Sequence, residues 1–263
     1  MSHPPPVQQR DFTQTWQQSM FFSSQGKRSR PSKSYGPHDI GRVYQIHETT
    51  ESVAMRVFLS SPGIDNHPDL KAYCQERLRE IQAKGSEIGK TRPCVVIEQP
   101  AASENFKGTS TLGTQLLILA TLGGTPYDEI PYVLRHFMDP ILPNSHPTGE
   151  IPVSTKPPWY NPHQWLFNFP FYSTRRIKGL WTGNFKKRDV PIGDLSGPGY
   201  CFDTDTVEIF KKRCEARMEL WEALCTNDPT FLPGCIENFK VYSVSSVVFG
   251  QYGSPFVANV RST

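Results

Sequence analysis

The chain has little that would carry it into or across a membrane. Its longest uninterrupted apolar run, Leu116–Ala120, is only a quarter of the roughly 20 residues that span a bilayer. The opening stretch MSHPPPVQQRDF has neither an apolar core nor a small-residue cleavage pattern, so no signal peptide is read there. CxxC pairs are absent. The six cysteines stand at 74, 94, 201, 214, 225 and 235, which argues against a zinc ribbon or a thioredoxin motif. Secreted disulfide scaffolds are shorter and denser in cysteine, so reduced thiols are expected. These absences predict a cytoplasmic protein with no membrane partner, and the short basic run Lys27–Lys33 would also suit nuclear import.

Acidic residues are missing from two stretches. Between Ser173 and Arg188 stand Arg175, Arg176, Lys178, Lys186, Lys187 and Arg188 with no acid among them; Lys27, Arg28, Arg30 and Lys33 form the second group. Such clusters suit phosphate or other anions, although a solvated basic face has the same composition. Metal-ligand spacing is lacking too. His136, His146 and His163 fit no known ligand pattern, and neither a metal nor another cofactor is expected.

Proline and glycine, by contrast, are plentiful, at 24 and 19 residues. They predict short elements joined by long loops. Residues 1–38 are rich in Pro, Gln and Ser without apolar periodicity and read as a disordered arm, leaving 39–263 as the folded domain. Gly41–Ile46 reads as a short strand. Residues 66–84 read as a helix with Asn66 as cap, Pro68 in the first turn and Leu70, Cys74, Leu78 and Ile81 as its buried stripe. Arg92–Glu98 is a β-branched run, and Gly113–Leu122 is a second strong strand across a polar loop, so the two form an antiparallel pair.

Thr125–Met138 reads as a short helix with Thr125 as cap, followed by a Pro-rich excursion over 139–164. Trp165, Phe167, Phe169 and Phe171 alternate along one strand face, and Pro170 moves that strand toward a sheet edge. Another strand is read over Arg176–Trp181. The clearest helix is 205–226, with Asp205 as cap, Glu208 completing a capping box, and Val207, Phe210, Cys214, Met218, Trp221 and Cys225 stepping by three and four. Lys240–Gly250 reads as a last strand.

The segment Gly85–Ile97, GSEIGKTRPCVVI, resembles the signature of the PemK/MazF toxins, in which Gly-Ser-Glu precedes a short loop and Arg-Pro opens a hydrophobic strand. Thr114–Thr121, TQLLILAT, is similar to a second strand of that family, which ends in threonine. Gly41–Tyr44 is a weaker match, with Arg42 where the family has an acid. The resemblance implies a mostly-β, SH3-like barrel, here elaborated by a helical insertion and a C-terminal helix and carrying insertions at 47–84 and 125–165. It implies a metal-independent endoribonuclease acting on single-stranded RNA, with an antitoxin-like protein or a second copy of the chain as partner.

By motif, Arg92 and Thr121 take the catalytic positions, and Glu87 could polarise the attacking hydroxyl. A guanidinium presents a fork of donors that matches two phosphate oxygens, and a threonine hydroxyl on the next strand can donate to the same oxygens. Pro93 restricts Arg92 to extended geometry. Ser86 and Lys90 beside the motif, Arg175, Arg176 and Lys178 in the basic stretch, and Trp159 and Tyr160 in a Pro-rich loop are the candidate RNA contacts, the aromatics by stacking on unpaired bases. Two rival readings remain: a non-catalytic nucleic-acid-binding barrel and a barrel that binds protein.

Overall fold

β-branched and aliphatic residues in the centre of the chain form the sheet that organises everything else. In the computed structural model β1 (Val43–Glu48), β2 (Lys90–Glu98), β3 (Gln115–Ala120), β4 (Met138–Pro140), β5 (Trp165–Phe167) and β6 (Phe171–Tyr172) make one antiparallel sheet. Its order is β1-β2-β3-β5-β4, with β6 pairing β3 beside β5. The helices are α1 (Thr50–Ser60), α2 (Pro68–Ala83), α3 (Tyr132–His136), α4 (Thr204–Asn227) and α5 (Phe231–Gln251). The structure describes residues 39–84, 90–99, 114–144, 151–172, 175, 177–181 and 199–251, the last eight by backbone alone. They belong to one compact unit, Tyr35–Thr263. The arm expected over 1–38 lies outside the described residues.

The expected antiparallel neighbours are present: β2 pairs β3 with Cys94 opposite Ile118 and Val95 opposite Leu117. The expected closed barrel is not. The sheet is open and the architecture is mixed α/β. Where closure would require a ladder from β4 back to β1, there are isolated bridges: Ile141 to Val153, Lys156 to Cys201 and Arg42 to Cys201. The outer edge of β1 is occupied instead by irregular chain. Gln45 N donates to Gly179 O at 2.7 Å, Trp181 N to Val43 O at 2.8 Å, and Val43 N to Tyr200 O at 2.9 Å. That edge is thereby satisfied without a strand. Gly41 permits the approach: its φ is +81°, and a Cβ there would stand 2.6 Å from the Phe202 carbonyl oxygen.

Alternation gives the sheet two buried faces. On the first, Val43, Val95, Ile97, Leu117, Leu119 and Leu166 pack with Trp159, Tyr200 and Phe202 and with Val207, Phe210 and Cys214 of α4. On the second, Cys94, Val96, Leu116 and Ile118 are all buried. Helix α1 belongs to this side, because Arg56 lies 5.4 Å from the ring of Phe171, which pairs with Leu116. Every residue of α1 from Ser52 to Phe58 is buried. The C-terminal half of α4 closes an aromatic cluster: Trp221 is wholly buried, stands 5.7 Å from Phe137 and 5.3 Å from Phe231, and donates to Ser61 Oγ at 2.8 Å.

Several elements differ from the sequence reading. Helix α4 begins at Thr204 and is capped by Asp203, two residues before the expected cap Asp205, with the Asp203 carboxylate accepting from Thr206 N at 2.9 Å. The stretch read as the helix Thr125–Met138 is a 3₁₀ turn at Tyr127–Glu129, the short α3, and the start of β4. The run read as one strand over 165–172 is two short strands interrupted at Asn168, whose side chain turns inward to Asp139 at 2.6 Å. The last strand, expected over 240–250, is helix α5. No helix among the described residues is long and apolar enough to cross a membrane.

Candidate functional site

Period-two geometry on β2 places Lys90, Arg92 and Cys94 on one face, the face that carries α1. Across the ladder Lys90 is opposite Glu48 and Arg92 opposite Ile46. The Arg92 side chain turns to the end of β1, where its Nε donates to the Glu48 carbonyl oxygen at 3.0 Å. Burial pushes the Arg92 guanidinium down to about 10, against the opposing pull of the Glu48 charge and Tyr242. It therefore stays cationic at neutral pH, as a phosphate ligand requires and a general base does not.

Glu48 is itself 2 % exposed. Its Oε1 accepts from Ser52 Oγ at 2.8 Å and from Thr49 N at 3.2 Å, so the carboxylate helps start α1 beside the Thr49 cap. Two more arginines gather around it. Arg175 Nε stands 3.8 Å from Glu48 Oε1, and its Nη2 donates to Ile81 O at 2.6 Å in the last turn of α2. Arg56, from α1, is 8 % exposed. Its charged form is disfavoured first by burial, supported by Glu48 and opposed by Arg175. Lys90, at the exposed end, has its ammonium pushed down by burial and by the Arg92 charge. Arg56, Arg92 and Arg175 thus gather around the Glu48 carboxylate, with Lys90 beside Arg92.

Thr121 does not join this group. It follows Leu117 and Leu119 on β3, which belong to the first face, and so alternation sets it on the side of the sheet opposite Arg92. It has also left strand geometry, with φ −99° and ψ −9°, and its carbonyl oxygen accepts from Gly124 N at 3.2 Å. The register explains the separation: extending the pairing of Cys94 with Ile118 brings Arg92 level with Ala120, one residue short of Thr121. Glu87 and Ser86 lie outside the described residues, as does Arg176.

The other expected contacts divide. Lys178 is exposed and Tyr160 is 46 % exposed. Trp159, expected in an exposed loop, is only 3 % exposed. Its Nε1 donates to Gln164 Oε1 at 3.2 Å, one neighbour is the Tyr200 ring at 4.5 Å, and Tyr160 stacks at 5.9 Å, so it serves the core. Arg175 is likewise committed to Glu48 and α2 rather than to the surface. Sequence reasoning missed Glu48 and Arg56. The signal for Arg56 was present: it interrupts a run of residues, Ser52–Phe58, in which nearly every other side chain is apolar or small.

Five cysteine thiols packed in the core, Cys74, Cys94, Cys214, Cys225 and Cys235, are pushed up by burial, Cys225 to about 11 and Cys74 and Cys235 to about 12, which leaves them protonated and inert. Among the described residues no group of three His, Cys, Asp or Glu side chains is arranged to hold a metal ion. Comparison with protein-family models, with curated proteins and with solved structures finds no match to this chain.

Proposed function

We propose that the chain binds single-stranded RNA through its phosphate backbone at the Lys90–Arg92 end of the sheet. The observation that supports this reading is the excess of cations there. Lys90 and Arg92 share a strand face, and Arg56 and Arg175 gather with Arg92 around the buried Glu48 carboxylate. Arg92 disfavours the Lys90 ammonium and Arg175 the Arg56 guanidinium, and an incoming phosphate would relieve that repulsion. Exposed Lys178 and Tyr160 offer a further cation and a ring for a base to stack on. With Thr121 turned to the other face, the groups that the endoribonuclease reading needs on one phosphate are not assembled among the described residues, and binding is the better-supported activity.

The test is fluorescence anisotropy of an end-labelled single-stranded RNA with the full chain in EDTA, across a salt series, with gel analysis of the same samples. Lys90→Gln and Arg92→Gln should each weaken binding about three- to tenfold and lower the slope of log affinity against log salt by about one. Lys90 is exposed, so its substitution leaves the fold intact. Affinity unchanged in Lys90→Gln and Arg92→Gln would overturn the reading. Cleavage in EDTA that disappears in Arg92→Ala would instead establish the endoribonuclease.

A further inference from the structure

A concave site separate from the Lys90–Arg92 group shares none of its residues. Tyr127, Tyr132, Arg135, His136, Met138, Arg217 and Leu220 line a recess of about 300 Å³. That volume is at the small end of the range for ligand sites. Its rim carries apolar surface that the fold leaves in water: Leu220 is 56 % exposed and Tyr132 is 39 % exposed.

The charges in the recess are not alike. Arg217 is spoken for, since its guanidinium bonds Asp139 and the His136 carbonyl oxygen. His136 Nε2 lies 2.8 Å from the Arg217 carbonyl oxygen, which can only accept, so that nitrogen carries the proton. Burial pushes the imidazole down, and it is neutral at pH 7. Arg135 differs from both. Its guanidinium carbon lies 5.6 Å from the Tyr127 ring centroid and 6.0 Å from that of Tyr132. Its Nε is shut away from water with no hydrogen-bond partner, and no carboxylate among the described residues stands within ion-pair distance of it. Ring faces stabilise a cation but provide no acceptor oxygen. A half-buried guanidinium between two tyrosines, with no counter-ion among the described residues and beside exposed leucine, is matched by a molecule that has one anionic head and an apolar body.

We propose that this recess binds a small organic monocarboxylate, its carboxylate on Arg135 and its apolar body against Tyr127, Tyr132 and Leu220. A monoanion is the right charge because Arg135 is the one cation lining the recess that Asp139 does not already answer. A flat hydrocarbon body suits walls made of two tyrosine rings.

The probe is 3-phenylpropionate, with neutral 3-phenylpropanamide as its isostere, each titrated into the full chain and followed by ligand-observed NMR. The acid should saturate at a concentration below about 10 mM, and the amide should bind about tenfold or more weakly, the loss that goes with one charge-assisted contact. Arg135→Gln should remove that preference, bringing the acid down to the affinity of the amide. Leu220→Ser changes an exposed rim residue and cannot unfold the core; it should weaken acid and amide alike, by about threefold. Absence of saturable binding by the acid, equal affinity for acid and amide in the unmodified chain, or an acid preference that survives Arg135→Gln would each overturn the proposal.

Discussion

Asp139 and Glu48 are both buried carboxylates, 0 % and 2 % exposed, and both gather arginines, yet they are wired differently. Asp139 takes charged donors directly. Arg213 Nη1 is 2.7 Å from one oxygen, Arg217 Nη2 bonds the other, and Asn168 Nδ2 adds a third contact at 2.6 Å. Each arginine also donates to a carbonyl, Arg213 to Ile151 O and Arg217 to His136 O. The result fastens α4 to β4. Glu48 Oε1 accepts from Ser52 Oγ and Thr49 N and lies 3.8 Å from Arg175 Nε, while backbone carbonyls take further donors: Glu48 O from Arg92 and Ile81 O from Arg175. Similar residues therefore make a structural clamp at Asp139 and, at Glu48, the group of cations on which the proposed RNA binding rests.

The largest effect that can break this comparison is at Asp139. Asp139→Asn should cost about 3–5 kcal/mol in chemical denaturation, because two half-buried arginines lose their charged acceptor at once. It should leave RNA binding by the folded protein unchanged. A loss below about 1 kcal/mol would mean that the clamp does not hold α4. Glu48→Gln should cost less, about 1–3 kcal/mol, because the amide oxygen still accepts from Ser52 and Thr49. The same change makes the Lys90–Arg92 end more positive, so RNA should bind more tightly and added inorganic phosphate should recover part of the lost stability. If phosphate rescues Asp139→Asn equally well, the two sites are not distinct in the way proposed.

The smallest effect is a pH dependence at the clamp. His136 titrates below its ordinary value of 6.5 in the folded chain, because burial disfavours the imidazolium. The unfolded chain takes up that proton first. The stabilising contribution is therefore complete above pH 6.5 and is lost as pH falls from there toward the folded value. Denaturation midpoints measured stepwise through that window should fall, and His136→Gln should flatten the part of the decline that His136 carries. An unchanged slope in the variant would move the origin of the decline elsewhere.

What the sequence made legible was whatever one face could carry. β2 and β3 announced themselves by continuous β-branched and aliphatic runs. The helix Pro68–Ala83 did so by its proline start, and α4 by a stripe from Val207 to Cys225 that is largely buried. α1 had no such asymmetry: seven consecutive residues are buried, so no polar face marks the helical period. α5 was misread because Val241, Val244, Val247 and Val248 favour strands, although the buried Leu232, Cys235, Ile236 and Phe239 upstream follow helical spacing. Packing on α2 and α1 outweighs that local preference, with Lys240 over the Tyr73 ring at 4.5 Å and Phe239 against Phe58 at 5.9 Å. At the site, Arg92 was legible from its Arg-Pro start, whereas Glu48 and Arg56 were not, because their partnership depends on β1 and α1 meeting in space. The barrel expectation failed for a related reason. A strand motif specifies its own ladder, but the link between distant edges is made here by Val153, Lys156 and Cys201, which no strand pattern marks.

That link behaves unlike the rest of the sheet. Between Ile141 and Val153, and between Lys156 and Cys201, each contact is one or two hydrogen bonds, such as Leu142 N to Val153 O and Cys201 N to Lys156 O. Breaking one does not require its neighbours to break, so opening there is small in extent and low in free energy, whereas the ladder joining β1, β2 and β3 opens only as a unit. The molecule is a stiff panel with a compliant seam. Amide protons on the panel should exchange with solvent slowly and together, and those on the seam early and one by one.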